Sequence, residues 1–126
     1  MKILLVEDDA ALAVLFRMFL GRKGNLEITH VSTGEEALQR VSEIRPDVVL
    51  LDIMLPGMDG IEVCRRLCSR PDLAGIKVVM VTALDDVGKR RESLAAGAIE
   101  YWVKPISPKE LGDWLMALGA AGSLAA

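Results

Sequence analysis

The sequence predicts an α/β domain built as an open, doubly wound parallel sheet of the (βα)5 kind. Two observations carry this. Five short runs of apolar and β-branched residues recur, at residues 3–6, 26–30, 47–51, 77–81 and 99–103, and three of them (3–6, 48–51 and 78–81) have little or no polar interruption. Strands that read apolar on both faces are typical of a parallel sheet covered on two sides. Helical patterns lie between the runs, so the chain alternates βαβαβαβαβα, which implies helices on both faces and right-handed crossovers.

The first run leads into Glu7, Asp8 and Asp9, and Asp9 can cap a helix over residues 10–20. Leu12, Leu15, Phe16 and Phe19 form its i, i+3, i+4, i+7 stripe. Its outward face then reads Ala10, Ala13, Val14, Arg17 and Met18, more apolar than a solvated surface needs. The second run ends in His30. Thr33 and Glu36 suit a capping box before Leu38, Val41 and Ile44. The third run ends at Asp52, and Asp59 with Glu62 repeats the capping logic before Ile61, Cys64 and Leu67. Cys64 and Cys68, four apart, face one side of that helix; core packing is the simple reading, and a disulfide or metal site the other. Thr82 follows the fourth run. The helix near residues 86–96 is the weakest, carrying Gly88 and a run of charges from Lys89 to Glu92 before Gly97. Lys104-Pro105 follows the fifth run, and Ser107-Pro108-Lys109-Glu110 opens the last helix, with Leu111, Trp114, Leu115 and Leu118 inward. Residues 119–126, mostly small, read as a frayed end or the start of a linker, leaving one domain over residues 1–118.

Composition narrows the function classes. The chain has 126 residues, 52% hydrophobic and 26% charged, with formal net charge -3, pI near 5.2 and mean hydropathy +0.34. One core is easily filled, and a dedicated nucleic-acid binder would show a basic balance instead. No apolar run reaches membrane length, and acids at Glu7–Asp9 interrupt any leader. A cytoplasmic location without membrane contact is the expectation.

In open α/β sheets ligands bind beyond the carboxyl ends of the strands. There the chain delivers Glu7, Asp8 and Asp9, then Asp52, then Thr82, then Lys104. Taken singly, each acid has an ordinary capping or surface reading. Together they crowd carboxylates at one edge, which a hard divalent cation such as Mg²⁺ relieves, with Lys104 neutralising a further charge. A carboxylate beside such charges can attack phosphorus and become an acyl phosphate. Phosphoryl transfer needs mainly placement and charge stabilisation, and the Thr82 hydroxyl and Ala83 N–H are further donors.

These motifs resemble the receiver domain of two-component response regulators. Leu4-Leu5-Val6-Glu7-Asp8-Asp9 is similar to that family's acidic pair. The segment from Val48 through Asp52-Ile53-Met54-Leu55-Pro56-Gly57-Met58-Asp59-Gly60 is similar to its phospho-acceptor strand and loop. Val79-Met80-Val81-Thr82-Ala83, Ala96-Gly97-Ala98 and Tyr101-Trp102-Val103-Lys104-Pro105 complete the likeness, which spans residues 1–118. The resemblance implies a flavodoxin-like sheet in the order 2-1-3-4-5. It implies that Asp52 is the phosphoacceptor, receiving its group from a histidine kinase or phosphotransfer protein. It implies Mg²⁺, with Mn²⁺ as an alternative, held by Glu7, Asp8, Asp52 and the Met54 carbonyl. Lys104 would pair with the phosphoryl oxygens, and its peptide bond to Pro105 would be cis. Thr82 and Tyr101 would be the switch pair, Tyr101 moving inward; its other reading is an edge aromatic with its hydroxyl in water. The fourth helix, fifth strand and fifth helix would carry the signal to an effector or fused output domain, with no nucleic-acid contact by the domain itself. Such a domain modifies itself and is not a turnover enzyme.

The chain also departs from common forms. Ile106 stands where many receivers carry Phe, and Ile99-Glu100 replaces the charges typical of one dimer face. Met54 and Leu84 are apolar at two positions that, by the resemblance, flank the path of the attacking water, which implies slow self-hydrolysis of the phospho-form. Rival readings are a degenerate receiver acting as a phosphorylation-independent interaction module, and a flavin or nucleotide binder. The complete acid, Thr and Lys set argues against the first. Acids in place of a Gly-rich loop after the first strand argue against the second.

Overall fold

The structure, a computed structural model, describes residues 1–22 and 24–125, with residues 121–125 as backbone only. Its elements are β1 (Lys2–Val6), α1 (Ala10–Gly21), β2 (Glu27–Val31), α2 (Gly34–Ile44), β3 (Val48–Leu51), α3 (Gly60–Cys68), a 3-10 turn (Pro71–Leu73), β4 (Lys77–Thr82), α4 (Val87–Ala95), β5 (Glu100–Val103) and α5 (Pro108–Ala125). All four strand pairings are parallel, and the order is β2-β1-β3-β4-β5, as the resemblance implied.

Strand alternation divides the core in two. Leu4, Val6, Val49, Leu51, Val78 and Met80 face α2 and α3, meeting Val41, Ile61, Val63, Cys64 and Leu67. Ile3, Leu5, Val48, Leu50, Val79 and Val81 face α1 and α5, meeting Phe16, Leu20, Leu111 and Leu115. Both strand faces are therefore dry, which is why the central runs lack a polar period.

The predicted caps form. Asp9, Thr33, Asp59 and Ser107 accept hydrogen bonds from the backbone N–H of Leu12, Glu36, Glu62 and Glu110. Glu36 reaches back past the cap residue to accept from Ser32 N–H rather than from Thr33 N–H, so the reciprocal half of the expected box is displaced by one residue, whereas Glu62 turns outward to Arg65 and Arg66.

Three expectations need correction or sharpening. In α1 the buried line is Ala13, Phe16 and Leu20, while Leu15 and Phe19 are exposed. Only Arg17 interrupts the apolar composition of this helix, so periodicity alone cannot fix which side faces the sheet. Cys64 is buried and Cys68 exposed, both as free thiols, so core packing describes Cys64 alone; burial pushes its thiol up to about 12. Finally, α5 continues as helix to Ala125, past the Leu118 limit read from composition. Ala126 lies outside the described residues.

Candidate functional site

The ladder continues one residue past β1, β3 and β5, and this brings the site together. Val6 is in register with Val31 and Leu51, and Thr82 with Val103. Glu7 N–H donates to Val31 C=O (3.1 Å), Asp52 N–H to Val6 C=O (3.4 Å) and Lys104 N–H to Thr82 C=O (2.7 Å). Glu7 and Asp52 thus leave the sheet at one level, the level of Trp102 on β5, and Lys104 leaves the same edge further along, so its long side chain reaches back to them.

Their side chains converge. Lys104 Nζ donates to Glu7 Oε1 at 2.6 Å and to Asp52 Oδ2 at 2.8 Å. Carboxylate oxygens of Glu7, Asp8 and Asp52 lie within 4.8 Å of one another. Glu7 and Asp52 are buried and Asp8 is exposed. The other Asp52 oxygen, Oδ1, accepts from Met54 N–H at 3.0 Å. The Lys104–Pro105 bond is cis.

The electrostatics are unbalanced. Burial raises the Glu7 carboxyl above its ordinary value and the Asp52 charge adds to this, while Lys104 opposes both. Burial alone would lower the Lys104 ammonium, but its bonds to Asp52 and Glu7 outweigh that and raise it. Three carboxylates against one ammonium leave a formal charge of -2 (-3 from the acids, +1 from Lys104). The all-oxygen donor set suits a hard cation such as Mg²⁺, which keeps several waters and takes few carboxylates.

Thr82 is fully buried, and its Oγ1 accepts from Leu84 N–H (3.3 Å), while Ala83 is exposed. Tyr101 is buried too; its hydroxyl donates to Leu84 C=O at 2.5 Å, and the Arg90 guanidinium sits 5.9 Å over its ring. The edge-aromatic reading of Tyr101 is thereby excluded, since the hydroxyl is inside and partnered. Thr82 and Tyr101 grip the same residue, one by its N–H and the other by its C=O.

Residues 3–115 match the family model described as the response regulator receiver domain. The chain belongs to the response regulator receiver family. The receiver is 46% identical over 110 residues to the phosphate regulon transcriptional regulatory protein PhoB of Rhizobium meliloti, a match covering 87% of this chain and 48% of that one. It is equally 46% identical over 110 residues to the DNA-binding response regulator MtrA of Mycobacterium tuberculosis, covering 87% and 46%. The chain spans about half the length of these relatives. Among solved structures, a CheY-like receiver domain protein from Methanospirillum hungatei matches at TM-score 0.89 and 28% identity, covering 99% of this chain and 98% of that one. The BeF3-activated receiver domain of RstA from Klebsiella pneumoniae matches at TM-score 0.81 and 34% identity, covering 93% and 97%.

Two groups at this edge carry no motif signal. His30 Nε2–H donates to Glu7 C=O at 2.8 Å, bracing the first acid from β2. Glu35, in the first turn of α2, accepts from Met58 N–H at 3.2 Å. Both contacts span 23 residues and use a backbone partner, so no side-chain pattern announces them. Among the described residues, no helix is long and apolar enough to cross a membrane.

Proposed function

We propose that this receiver is a phosphorylation switch whose acceptor is Asp52. The observation that carries the reading is the Lys104 ammonium bridging the buried Glu7 and Asp52 carboxylates at 2.6 and 2.8 Å, with Asp8 beside them. An Asp52 carboxylate oxygen attacks the donor phosphorus. The bond to the leaving group of a histidine kinase or phosphotransfer protein breaks, and an acyl phosphate forms. Lys104 then neutralises a phosphoryl oxygen, and the Ala83 N–H and Thr82 hydroxyl donate to others. Glu7, Asp8, Asp52 and the Met54 carbonyl would hold Mg²⁺, or Mn²⁺ in its place. When bound, that ion supplies charge neutralisation for the crowded carboxylates and the incoming phosphoryl oxygens.

Leu84 links this event to the surface. To reach the phosphoryl group, Thr82 gives up the Leu84 N–H, a long bond at 3.3 Å. Tyr101 holds the carbonyl of the same residue, so the turn between β4 and α4 and the aromatic respond together. The face formed by α4, β5 and α5 carries the change to a separate effector or a fused output domain. The receiver acts in the cytoplasm, modifies only itself, and contacts neither membrane nor nucleic acid directly. Incubation with acetyl phosphate and Mg²⁺ should add the mass of one phosphoryl group, and chelation should prevent it. No gain in mass with the metal present overturns the reading.

The exposed face of α1, with Val14 at 54% and Met18 at 51% exposure, is the proposed docking surface for the donor protein. Val14→Glu should slow transfer from the cognate protein about tenfold or more by placing a charge in an apolar contact. It should leave transfer from acetyl phosphate unchanged; equal loss from both donors removes docking as the cause.

Apolar Met54 and Leu84 flank the acceptor, Met54 exposed and Leu84 half-buried against the core. Neither can orient a water, so the phospho-form should hydrolyse slowly. Met54→Asn and Leu84→Glu together should speed its decay about tenfold. Decay is followed by intact mass after donor removal, and an unchanged half-life rejects this role.

A further inference from the structure

The loop between β3 and α3 is fastened firmly at its base. Gly60 N–H donates to Ile53 C=O at 2.9 Å, Leu55 N–H donates to the same carbonyl at 3.0 Å, and Met54 N–H is tied to Asp52 Oδ1. The tip has different support. Gly57 is in the left-handed region at φ 78, and Pro56 and Gly57 are exposed. From α2, Glu35 reaches this tip and accepts Met58 N–H at 3.2 Å. A Cβ on Gly57 would lie 2.9 Å from Glu35 Oε1, so the absence of a side chain there lets the carboxylate approach. Gly34 is equally close-fitting, since a Cβ there would come within 2.5 Å of Val63 Cγ2 and 3.5 Å of Met58 C=O. The first turn of α2 is thus packed closely on α3 through Gly34, and from there the Glu35 carboxylate grips the tip of the loop.

We propose that Glu35 is a positioning residue for the metal site: by holding Met58, it keeps the Asp52–Gly60 loop in the conformation that presents the Met54 carbonyl to the cation. This rests on the metal reading given under Proposed function. Glu35 touches no reacting atom. It acts as partners behind a ligand do, narrowing the conformations from which the cation must select. Its charge is a separate influence, because an added carboxylate near the site attracts a cation wherever the loop sits. Glutamine separates the two effects: Glu35→Gln keeps an oxygen acceptor for Met58 N–H and removes the charge, whereas Glu35→Ala removes both. Glu35 is exposed, so neither change disturbs the core.

The test is Mg²⁺ binding to the whole chain by calorimetry, without any phosphoryl donor, alongside amide hydrogen exchange at Met58. Glu35→Ala should bind Mg²⁺ about five- to tenfold more weakly and exchange the Met58 amide faster. Glu35→Gln should match the parent in both. Unchanged affinity in Glu35→Ala overturns the proposal. So does equal weakening in both variants, which assigns the effect to charge. A parent chain that binds no Mg²⁺ overturns the metal site itself and the inference with it, an outcome distinct from a parent that binds and a Glu35→Ala variant that binds equally well.

Discussion

Asp52→Asn is expected to abolish phosphoryl incorporation from acetyl phosphate with Mg²⁺, by at least about 100-fold, while the protein remains folded. The amide keeps the shape of the carboxylate and can still accept Met54 N–H, now held by Asp52 Oδ1 at 3.0 Å. It loses the negative charge that makes the oxygen a nucleophile and a cation ligand. Lys104 keeps Glu7 as a partner at 2.6 Å, so its ammonium is not left unpaired. Removing one of three crowded carboxylates also relieves repulsion, so the melting temperature should hold or rise. The measurements are intact mass after donor treatment and a thermal melt of the same sample. Equal incorporation in parent and variant would show that another group accepts the phosphoryl. Loss accompanied by a collapse in melting temperature would trace it to unfolding.

The residues of this edge are legible in the sequence because the strands announce where they stop. Runs such as Val48–Leu51 and residues 78–81 are apolar up to the rim of the sheet, and polarity returns at the next residue, Asp52 and Thr82 respectively. In a parallel sheet those ends share one polarity, so Glu7, Asp52 and Lys104 leave at the same edge, and the strand order with the length of the lysine side chain lets them meet. Three features are not legible there, each for its own reason. The inward side of α1 is hidden because nearly every position is apolar, leaving the 3.6-residue period without contrast. The Glu35–Met58 and His30–Glu7 contacts are hidden because a backbone atom is one partner, and backbone atoms carry no residue-type signal. The shared grip of Thr82 and Tyr101 on Leu84 depends on the path of the turn after β4, which composition does not specify.

Gly60→Ala is expected to be the most damaging single-methyl change near the site. A Cβ at Gly60 would lie 1.9 Å from the Asp52 carbonyl oxygen and 2.8 Å from Ile53 Cα. Both are main-chain atoms, so no flexible side chain can move aside. The backbone around the acceptor must shift, or α3 must withdraw from its seat. Withdrawal would pull Ile61, Val63 and Cys64 from the core and loosen the bond from Gly60 N–H to Ile53 C=O. Overpacking of this kind costs about 3 kcal/mol or somewhat more. For a domain of this size that corresponds to a melting point lower by roughly 10 °C. Because the clash falls on the peptide that carries Asp52, Mg²⁺ affinity should fall as well, even at temperatures where the variant is folded. Gly24→Ala is the comparison: an added Cβ there meets nothing within 4 Å, although φ is +78, so its cost is local backbone strain remote from the site. Urea denaturation and Mg²⁺ calorimetry on both variants distinguish the cases. If Gly60→Ala melts like the parent and binds Mg²⁺ equally, the close approach of α3 to the Asp52 carbonyl does not constrain the site.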